Sequence, residues 1–471
     1  MKKLLIFFIL TFSIAACTDD FEEDLIDPRS PVEVPATGLF SNAQRNLVDQ
    51  MTTPSVNSGI FRLLAQQWAS TDYPRESQYD IVTRNIPQNF WNELYTDVLM
   101  DLREARTIVT ADETFPDPAE KANQIAMIEI MEVYTWSVLV NTFGDIPYNE
   151  ALNPENVQPT YDDAAEIYAD LFTRLDAALN SLNESAGSGD FAAADLIYGG
   201  DIESWIMFGN SLKLRMGMTL ADVDETTARR VVAEAADNVF TSLADNADFQ
   251  YTETTPNVNP IWTNLVQSGR NDFVPANTLV DVMNELDDPR RSEYFTLFSN
   301  GEYVGGTYGT GNPYSNFSHV NPAITAPDFE AVLLSYDEVE FYLAEAAARG
   351  FDVSGTAGEH YTNAIRASME YWGVPEAEIN AYLSQPEVAW TGGGNWRQQI
   401  GVQKWIALYN RGFEAWTEYR RLDYPQLEAP AVAEFDVVPV RYPYPAAERT
   451  LNTANVPAGD EATNRIFWDV Q

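Results

Sequence analysis

The residue types that most often carry catalysis are sparse in this chain. Its 471 residues include one cysteine, Cys17, and two histidines, His319 and His360. Zinc sites are built from cysteine and histidine ligands, and a nucleophilic serine needs an ordered base beside it. No G-x-S-x-G elbow accompanies the histidines. The sequence therefore predicts neither a zinc site nor thiol catalysis, and His319 is interpreted as a hydrogen-bonding loop residue.

Carboxylates are so abundant that their spacing carries little information. A glycosidase places two carboxyl groups about 5–9.5 Å apart, and among 71 acidic residues some pair always suits that distance. The run from Asp222 begins like an EF-hand, but Thr227 and Ala233 stand where the loop needs glycine and glutamate. No cofactor is therefore predicted, although a calcium ion bound by oxygens around residues 245–248 stays open.

Aromatic residues interleaved with amides form a more informative pattern. The C–H faces of a sugar stack on flat rings, and its hydroxyls bond to amide, carboxylate and guanidinium groups. Two stretches, 66–79 and the irregular segment 249–329, have this composition. For Trp68 and Tyr73, packing against the next helix is an open alternative. The ligand-binding residues predicted from these stretches are Trp68, Asp72, Tyr73, Tyr79, Trp262, Asn264, Arg270, Asn271, Tyr308 and Tyr314.

The charge balance disfavours one class of partner. Acidic residues number 71 against 28 basic residues, which gives a formal net charge of −43. Such a field repels nucleic acid and anionic lipid, and it disfavours polyanionic ligands. A neutral glycan is therefore the favoured ligand, although the acidity is also explained as an adaptation of the surface to solubility or salt.

The N-terminus has the features of a bacterial lipoprotein signal. Lys2 and Lys3 precede an apolar run over residues 4–14, and two alanines then lead into Cys17. This run is too short to span a bilayer, and the small residues suit a signal peptidase. We expect cleavage before Cys17, acylation of its thiol and anchoring of the chain to a membrane outside the cytoplasm. The acidic, proline-containing segment that follows is predicted to be a flexible tether.

The rest of the chain reads mainly as helices. Apolar residues recur with a spacing of three and four, and Gly350 is placed to end one helix. Short turns between alanine-rich helices favour stacked hairpins of the tetratricopeptide type. Segment 249–329 differs, because prolines and glycine-rich turns interrupt it. The predicted helices are Asn89–Val109, Pro118–Thr142, Tyr161–Leu182, Asp201–Leu220, Thr226–Leu243, Tyr336–Arg349, Ala357–Trp372 and Gln398–Leu422.

A series of short strings gives the chain a family resemblance. Residues 141–148 read NTFGDIPY, a helix end in which Gly144 permits a positive φ and Pro147 stops the helix. This string resembles the hallmark of SusD/RagB-like nutrient-binding lipoproteins, and further matches follow in the expected order. They are DPR at 288–290, YVGG at 303–306, NFS at 316–318, LSYDEVEFYLAEA at 334–346, QKWIALYNRGFEAWTEYRR at 403–421 and RYPYP at 441–445.

The resemblance implies a mostly α fold, in which tetratricopeptide-like hairpins support a loop-rich ligand-binding region. It implies a lipid-anchored position on the outer membrane, facing the exterior. It also implies a SusC-like TonB-dependent transporter as partner, capped by this lipoprotein as a hinged lid. The expected organisation is a signal peptide at 1–16, a tether at 17–36 and one domain at 37–471, with the ligand segment at 249–329.

The predicted function is capture of an extracellular neutral oligosaccharide or polysaccharide and its delivery to that transporter, with no enzymatic step. The alternatives are a peptide-binding member of the same family, a surface glycosidase and a purely structural helical scaffold. Within the hallmark strings, Trp405 and Trp416 are expected in the core. For the side chains of Glu340 and Glu345, two alternatives are open: exposure to solvent, or burial with Arg420 or Arg441 as the ion-pair partner.

Overall fold

The computed structural model describes residues 34–470. The predicted signal peptide, Cys17 and all but the end of the predicted tether lie outside the described residues. Within 34–470, no helix is both long enough and apolar enough to cross a membrane. The described chain contains seventeen α-helices, and two π-helical turns at Glu93–Leu99 and Trp262–Gln267. The helices are α1 (Ala36–Thr52), α2 (Phe61–Leu64), α3 (Ile86–Asn92), α4 (Met100–Ala111), α5 (Pro118–Phe143), α6 (Ala164–Ser181), α7 (Phe191–Ala194), α8 (Ile202–Thr219), α9 (Glu225–Ala235), α10 (Asn277–Glu285), α11 (Arg291–Tyr294), α12 (Tyr336–Ala348), α13 (Ala357–Tyr371), α14 (Glu376–Leu383), α15 (Trp396–Ala407), α16 (Gly412–Leu422) and α17 (Ala446–Leu451).

The mostly α, tetratricopeptide-like architecture predicted from the sequence is confirmed. Consecutive helices pack as pairs, with α5 on α6, α8 on α9, α12 on α13 and α15 on α16. Capping residues set the ends of these helices. The N-cap Asp163 accepts hydrogen bonds from the backbone N–H groups of Ala165 at 2.9 Å and Glu166 at 3.1 Å, so α6 begins at Ala164. Gly350 has a φ of +72° directly after α12, as predicted.

The π-helical turn Glu93–Leu99 interrupts the predicted α-helix Asn89–Val109. Two other predicted helices break or end early. The pattern over Gln398–Leu422 predicted one helix, but the chain forms α15 and α16 with a break at Asn410, whose φ is +68°. The pattern over Thr226–Leu243 predicted a helix to residue 243, but α9 ends at Ala235. After one further 3₁₀ turn, Val239 is extended and the backbone N–H of Phe240 donates to Ser211. In both places, contacts distant in sequence override the local apolar period.

Four short strands form two small antiparallel ladders. Strand β1 (Trp68–Ser70) pairs with β3 (Phe273–Pro275), and β2 (Asp248–Phe249) pairs with β4 (Ala331–Val332). In the first ladder Trp68 lies opposite Pro275 and Ser70 lies opposite Phe273. This ladder matters most for function, because it joins the two stretches that the sequence singled out for ligand binding.

The helical hairpins close on a buried network of charged side chains. Arg421 on α16 bonds to Glu345 on α12 at 2.7 Å and to Glu418 at 2.7 Å. Lys404 on α15 reaches Glu418 at 2.9 Å. Burial alone would raise the pKa of Glu418, but Arg421 and Lys404 hold it well below its usual range. Glu345 is therefore buried and paired, with Arg421 and Arg349 rather than with Arg420 or Arg441.

The tryptophans of the hallmark strings lie in the core, as predicted. Both Trp405 and Trp416 are buried, and their indole N–H groups donate to the carbonyl oxygens of Ala65 at 2.8 Å and Pro439 at 2.7 Å. The helix end after α5 is held by the C-terminal string, since the backbone N–H of Tyr442 donates to Thr142 at 2.9 Å. These strings therefore maintain the scaffold.

His360 on α13 is held between two hydrogen-bond acceptors. Its Nδ1 lies 2.7 Å from the Glu340 carboxylate and its Nε2 lies 2.7 Å from the Ser354 carbonyl. Since a carboxylate and a carbonyl oxygen both accept hydrogen bonds, this geometry favours the doubly protonated, cationic imidazole. Burial opposes that charge, but the bonds to Glu340 and Ser354 raise the pKa of His360 above 6.5. Glu359 and Tyr336 are the other titratable groups of this cluster.

His360→Gln is expected to destabilise the protein in a pH-dependent way. Because the folded-state pKa is raised, the stabilisation is complete below the unfolded value and is lost as the pH rises through the folded pKa. We expect a loss of about 1–2 kcal/mol in unfolding free energy at roughly pH 5.5 and a smaller loss at roughly pH 8.5. Denaturant titrations at both pH values measure it, and an equal loss at both would contradict the cationic state.

Candidate functional site

A cleft forms where the two predicted ligand-binding stretches meet. Beyond the β1–β3 ladder, the backbone N–H of Thr71 donates to Asp272 at 2.9 Å, and that of Asn312 donates to Thr71 at 2.8 Å. The cleft beside these contacts has a volume of about 350 Å³, within the range of small-ligand sites. Its lining residues are Leu265, Val266, Gly269, Arg270, Asn271, Asp272, Phe273, Thr296, Tyr314, His319, Val320, Pro322 and Thr325.

An aromatic platform stands in the wall of the cleft. The rings of Tyr314 and His319 are stacked, with centroids 3.7 Å apart and planes 10° apart. Nε2 of His319 lies 3.0 Å from the backbone carbonyl of Tyr314, so this nitrogen carries the proton and donates. His319 is thus the hydrogen-bonding loop residue that the sequence predicted, and it fixes the orientation of the tyrosine ring.

Charged and amide groups from residues 270–272 also line the cleft. Nε of Arg270 donates to Asp272 at 2.7 Å, and this bond raises the pKa of Arg270. Within residues 34–470, the two terminal guanidinium nitrogens of Arg270 and the side-chain amide of Asn271 have no protein hydrogen-bond partner. These groups face solvent at the cleft and are free to bond to a ligand.

Tyr73 extends from the neighbouring turn close to Arg270. Its side chain is 72% exposed, and its backbone φ is +55°, a region that non-glycine residues seldom occupy. Asp72 beside it is also exposed. The ring of Tyr73 is therefore accessible to a ligand beside Arg270.

Three predicted ligand residues are instead part of the core, and their assignment is corrected. Trp68 is 1% exposed, and its indole N–H donates to Tyr409 at 3.2 Å. Tyr79 is buried and accepts a hydrogen bond from Gln66 at 3.2 Å, and Tyr308 donates to the carbonyl of Leu63 at 2.6 Å. A fully packed ring has no face to offer a ligand. These aromatics hold the ligand segment onto the helical scaffold.

Trp262 and Asn264 stand beside the cleft rather than in its lining. Both lie on the π-helical turn Trp262–Gln267 and are partly exposed. The Asn264 amide donates to the carbonyl of Pro260 at 2.8 Å, which engages one of its donors. The same turn supplies Leu265 and Val266 to the lining. These two residues could not be predicted from the sequence, because isolated aliphatic residues do not distinguish a binding site from any other part of the chain.

The cleft has few groups suited to catalysis or metal binding. Among its lining residues Asp272 carries the single carboxylate, and that carboxylate is paired with Arg270. Retaining and inverting glycosidases need two. In the described part of the chain no three metal-ligating side chains cluster. At the position left open for calcium, Asp245 and Asn246 accept backbone hydrogen bonds from Ser242 and Tyr336, each at 2.8 Å.

A second, much smaller space lies between α1, α13 and the α15–α16 connection. It measures about 40 Å³, and Arg62, Asp337, Arg411 and Glu414 contribute charged groups to its lining. Burial lowers the pKa of Arg62 to about 10. A volume of this size holds a few ordered water molecules. It is too small for an oligosaccharide, so the cleft around Tyr314 is the better candidate for a ligand site.

The sequence matches a known protein family over most of its length. Residues 28–445 match the SusD-like family described as "Starch-binding associating with outer membrane". No curated protein sequence matches the chain. A solved chitin-binding protein is similar at 26% identity, with 93% of this chain and 100% of that chain covered and a TM-score of 0.80.

Two further solved structures share the fold. A SusD homologue from Bacteroides uniformis is 25% identical, with 92% of this chain and 99% of that chain covered and a TM-score of 0.78. A chitin-binding SusD homologue from Flavobacterium johnsoniae is 22% identical, with coverages of 93% and 97% and a TM-score of 0.77. The family match extends over most of the sequence and agrees with the fold. This chain belongs to the SusD/RagB-like family.

Proposed function

We propose that this protein captures an extracellular oligosaccharide in the cleft around Tyr314 and delivers it to a SusC-like TonB-dependent transporter. The observation that carries the proposal is the convergence of a stacked aromatic platform with unpartnered guanidinium and amide groups in one cleft. Aromatic faces suit the C–H faces of sugar rings, and the polar groups suit their hydroxyls. The chitin-binding relative at 26% identity supports a carbohydrate ligand.

The protein acts from the cell surface in this proposal. Acylation at Cys17 anchors it to the outer membrane, and the acidic tether holds the domain away from the lipid headgroups. No bond is made or broken, since the cleft offers one carboxylate that is already paired. The net charge of −43 favours a neutral glycan over a polyanionic one. Transport energy comes through the partner, and the protein contributes capture, lid closure and release.

Native affinity electrophoresis of the domain that begins after Cys17 tests the binding step. We expect a neutral polysaccharide to retard it and acidic polysaccharides to leave it unaffected. Failure of every glycan in the panel would overturn the carbohydrate assignment and favour a peptide ligand. Turnover of a retarding oligosaccharide on prolonged incubation would instead indicate a surface glycosidase.

Tyr73→Ala and Tyr314→Ala are each expected to weaken glycan binding by about 1–3 kcal/mol, roughly 5- to 150-fold in Kd. The sequence predicts a loss of the same size for Trp262→Ala. Calorimetry on the three variants therefore distinguishes Tyr314, which lines the cleft, from Tyr73 and Trp262, which lie outside the lining. Leu451→Ala, which shortens a 69% exposed side chain outside the cleft lining, is the matched surface control. Unchanged affinity in the Tyr314 variant would remove the cleft from the site.

A further inference from the structure

The cleft has an aliphatic wall that a plain glucan does not require. Leu265 and Val266 from the π-helical turn face the same space as Val320 and Pro322. Val266 keeps 48% of its surface exposed, so part of this wall is wetted in the unliganded protein. Apolar surface of this kind gains from contact with a methyl group of the ligand. Sugar hydroxyls alone leave that gain unused.

The polar part of the same cleft matches an amide. The side-chain carboxamide of Asn271 carries both a donor and an acceptor, and neither bonds to protein within residues 34–470. Another amide presents the complementary pair, an N–H and a C=O, in one plane. Arg270 adds two guanidinium nitrogens that can donate to the carbonyl oxygen. The complement of this lining is therefore a group with an N–H, a carbonyl and a small apolar end.

The charges of the lining favour a neutral form of that group. Arg270 and Asp272 form an ion pair in the lining, so their charges compensate each other. An anionic sugar would approach through the field of a chain with a net charge of −43. A free amine would be attracted by that field, but it lacks the carbonyl and the methyl.

We propose that the cleft selects a glycan whose sugars carry acetamido groups, with the methyl group against Val266 and Val320 and the amide against Asn271 and Arg270. This inference rests on the proposed function and deepens it by naming the substrate class. It follows from the arrangement of the lining, because aliphatic and amide groups lie together beside the Tyr314–His319 platform.

Three β-1,4-linked hexasaccharides that differ only at C2 provide the test. They carry an acetamido group, a hydroxyl group or a free amine at that position. Calorimetry on the full-length lipoprotein in detergent is expected to give a Kd at least tenfold lower for the acetamido form than for either other form. Equal affinity for the acetamido and hydroxyl forms would overturn the selectivity and leave glycan capture intact. Tightest binding of the amine form would show that the overall charge governs selection, and would also overturn it.

Two nearly isosteric variants test whether the aliphatic wall and the Asn271 carboxamide cause the selectivity. Val266→Thr places a hydroxyl in the wall at an exposed helical position, so folding is unaffected, and it should reduce the preference for the acetamido form about threefold to fivefold. Asn271→Leu should reduce the preference further. Val157→Thr makes the same change at a 78% exposed valine outside the cleft and should leave the preference unchanged. An unchanged preference in both cleft variants would overturn the assignment, and binding of peptides alone would overturn the proposed function with it.

Discussion

Arg421→Met is expected to lower the free energy of unfolding by about 3–5 kcal/mol, the cost of removing one partner from a buried ion pair. The guanidinium lies between the carboxylates of Glu345 and Glu418, and all three side chains are buried. Methionine fills much of the volume, but it leaves the two carboxylates with less compensation in a poorly solvated site. Guanidinium unfolding titrations measure the loss.

A control substitution at an exposed ion pair distinguishes the effect of burial from the effect of losing a charge. Arg230→Met removes an exposed arginine that pairs with Glu234 at 2.9 Å one helical turn away, and it should cost only about 0.5 kcal/mol. The double variant Arg421→Met with Glu345→Leu should recover part of the large loss, because Glu418 keeps Lys404 and Arg349 keeps Asp222. A loss below about 1 kcal/mol for Arg421→Met would contradict the importance of the network.

Gly412→Ala is expected to destabilise the fold by about 3 kcal/mol, at the upper end of the usual cost of overpacking. Gly412 begins α16 and lies directly against α2. A Cβ there would lie 2.8 Å from the carbonyl carbon of Phe61 and closer still to the backbone nitrogen of Arg62. Because both contacts are with backbone, no side-chain rotation relieves them and the two helices must separate.

The control for this prediction is a glycine in open space. Gly394→Ala adds the same methyl group where no atom lies within 4 Å of the new Cβ, so stability should change by less than about 0.5 kcal/mol. Thermal unfolding of both variants provides the comparison. Similar transition temperatures for Gly412→Ala and the unmodified protein would show that α16 can move away from α2 without cost.

The helices could be predicted from the sequence because their determinants are local. The predicted Pro118–Thr142 and Tyr336–Arg349 match α5 and α12 to within one residue. The break at Asn410 could not be predicted in this way, because the apolar period of α15 continues through it into α16. At the break, the side-chain oxygen of Asn410 accepts a hydrogen bond from Nε of Arg62 at 2.9 Å, a contact 348 residues away in sequence.

The candidate site was predicted only in part, for a related reason. Arg270, Asn271 and Tyr314 do line one cleft, and Tyr73 lies near Arg270 outside the lining, but the same composition of aromatics and amides also placed Trp68 in the ligand set. Buried backbone carbonyls need donors, and the chain uses its amides for that purpose too: Gln67 donates to Leu408 at 3.1 Å. Composition alone does not distinguish an amide that serves the core from one that serves a ligand.

The ladder between β1 and β3 also determines when in folding the cleft can exist. Thr71 and Asn271, which are joined beside it, lie 200 residues apart, and several helical pairs fold in between. Closing so long a loop is slow compared with forming a helical hairpin, and it follows the folding of the intervening chain. A ribosome-bound chain that stops short of Tyr314 would therefore contain helices but no complete cleft. During refolding, the return of ligand binding would report that the whole fold is complete, whereas the circular dichroism signal of the helices would not.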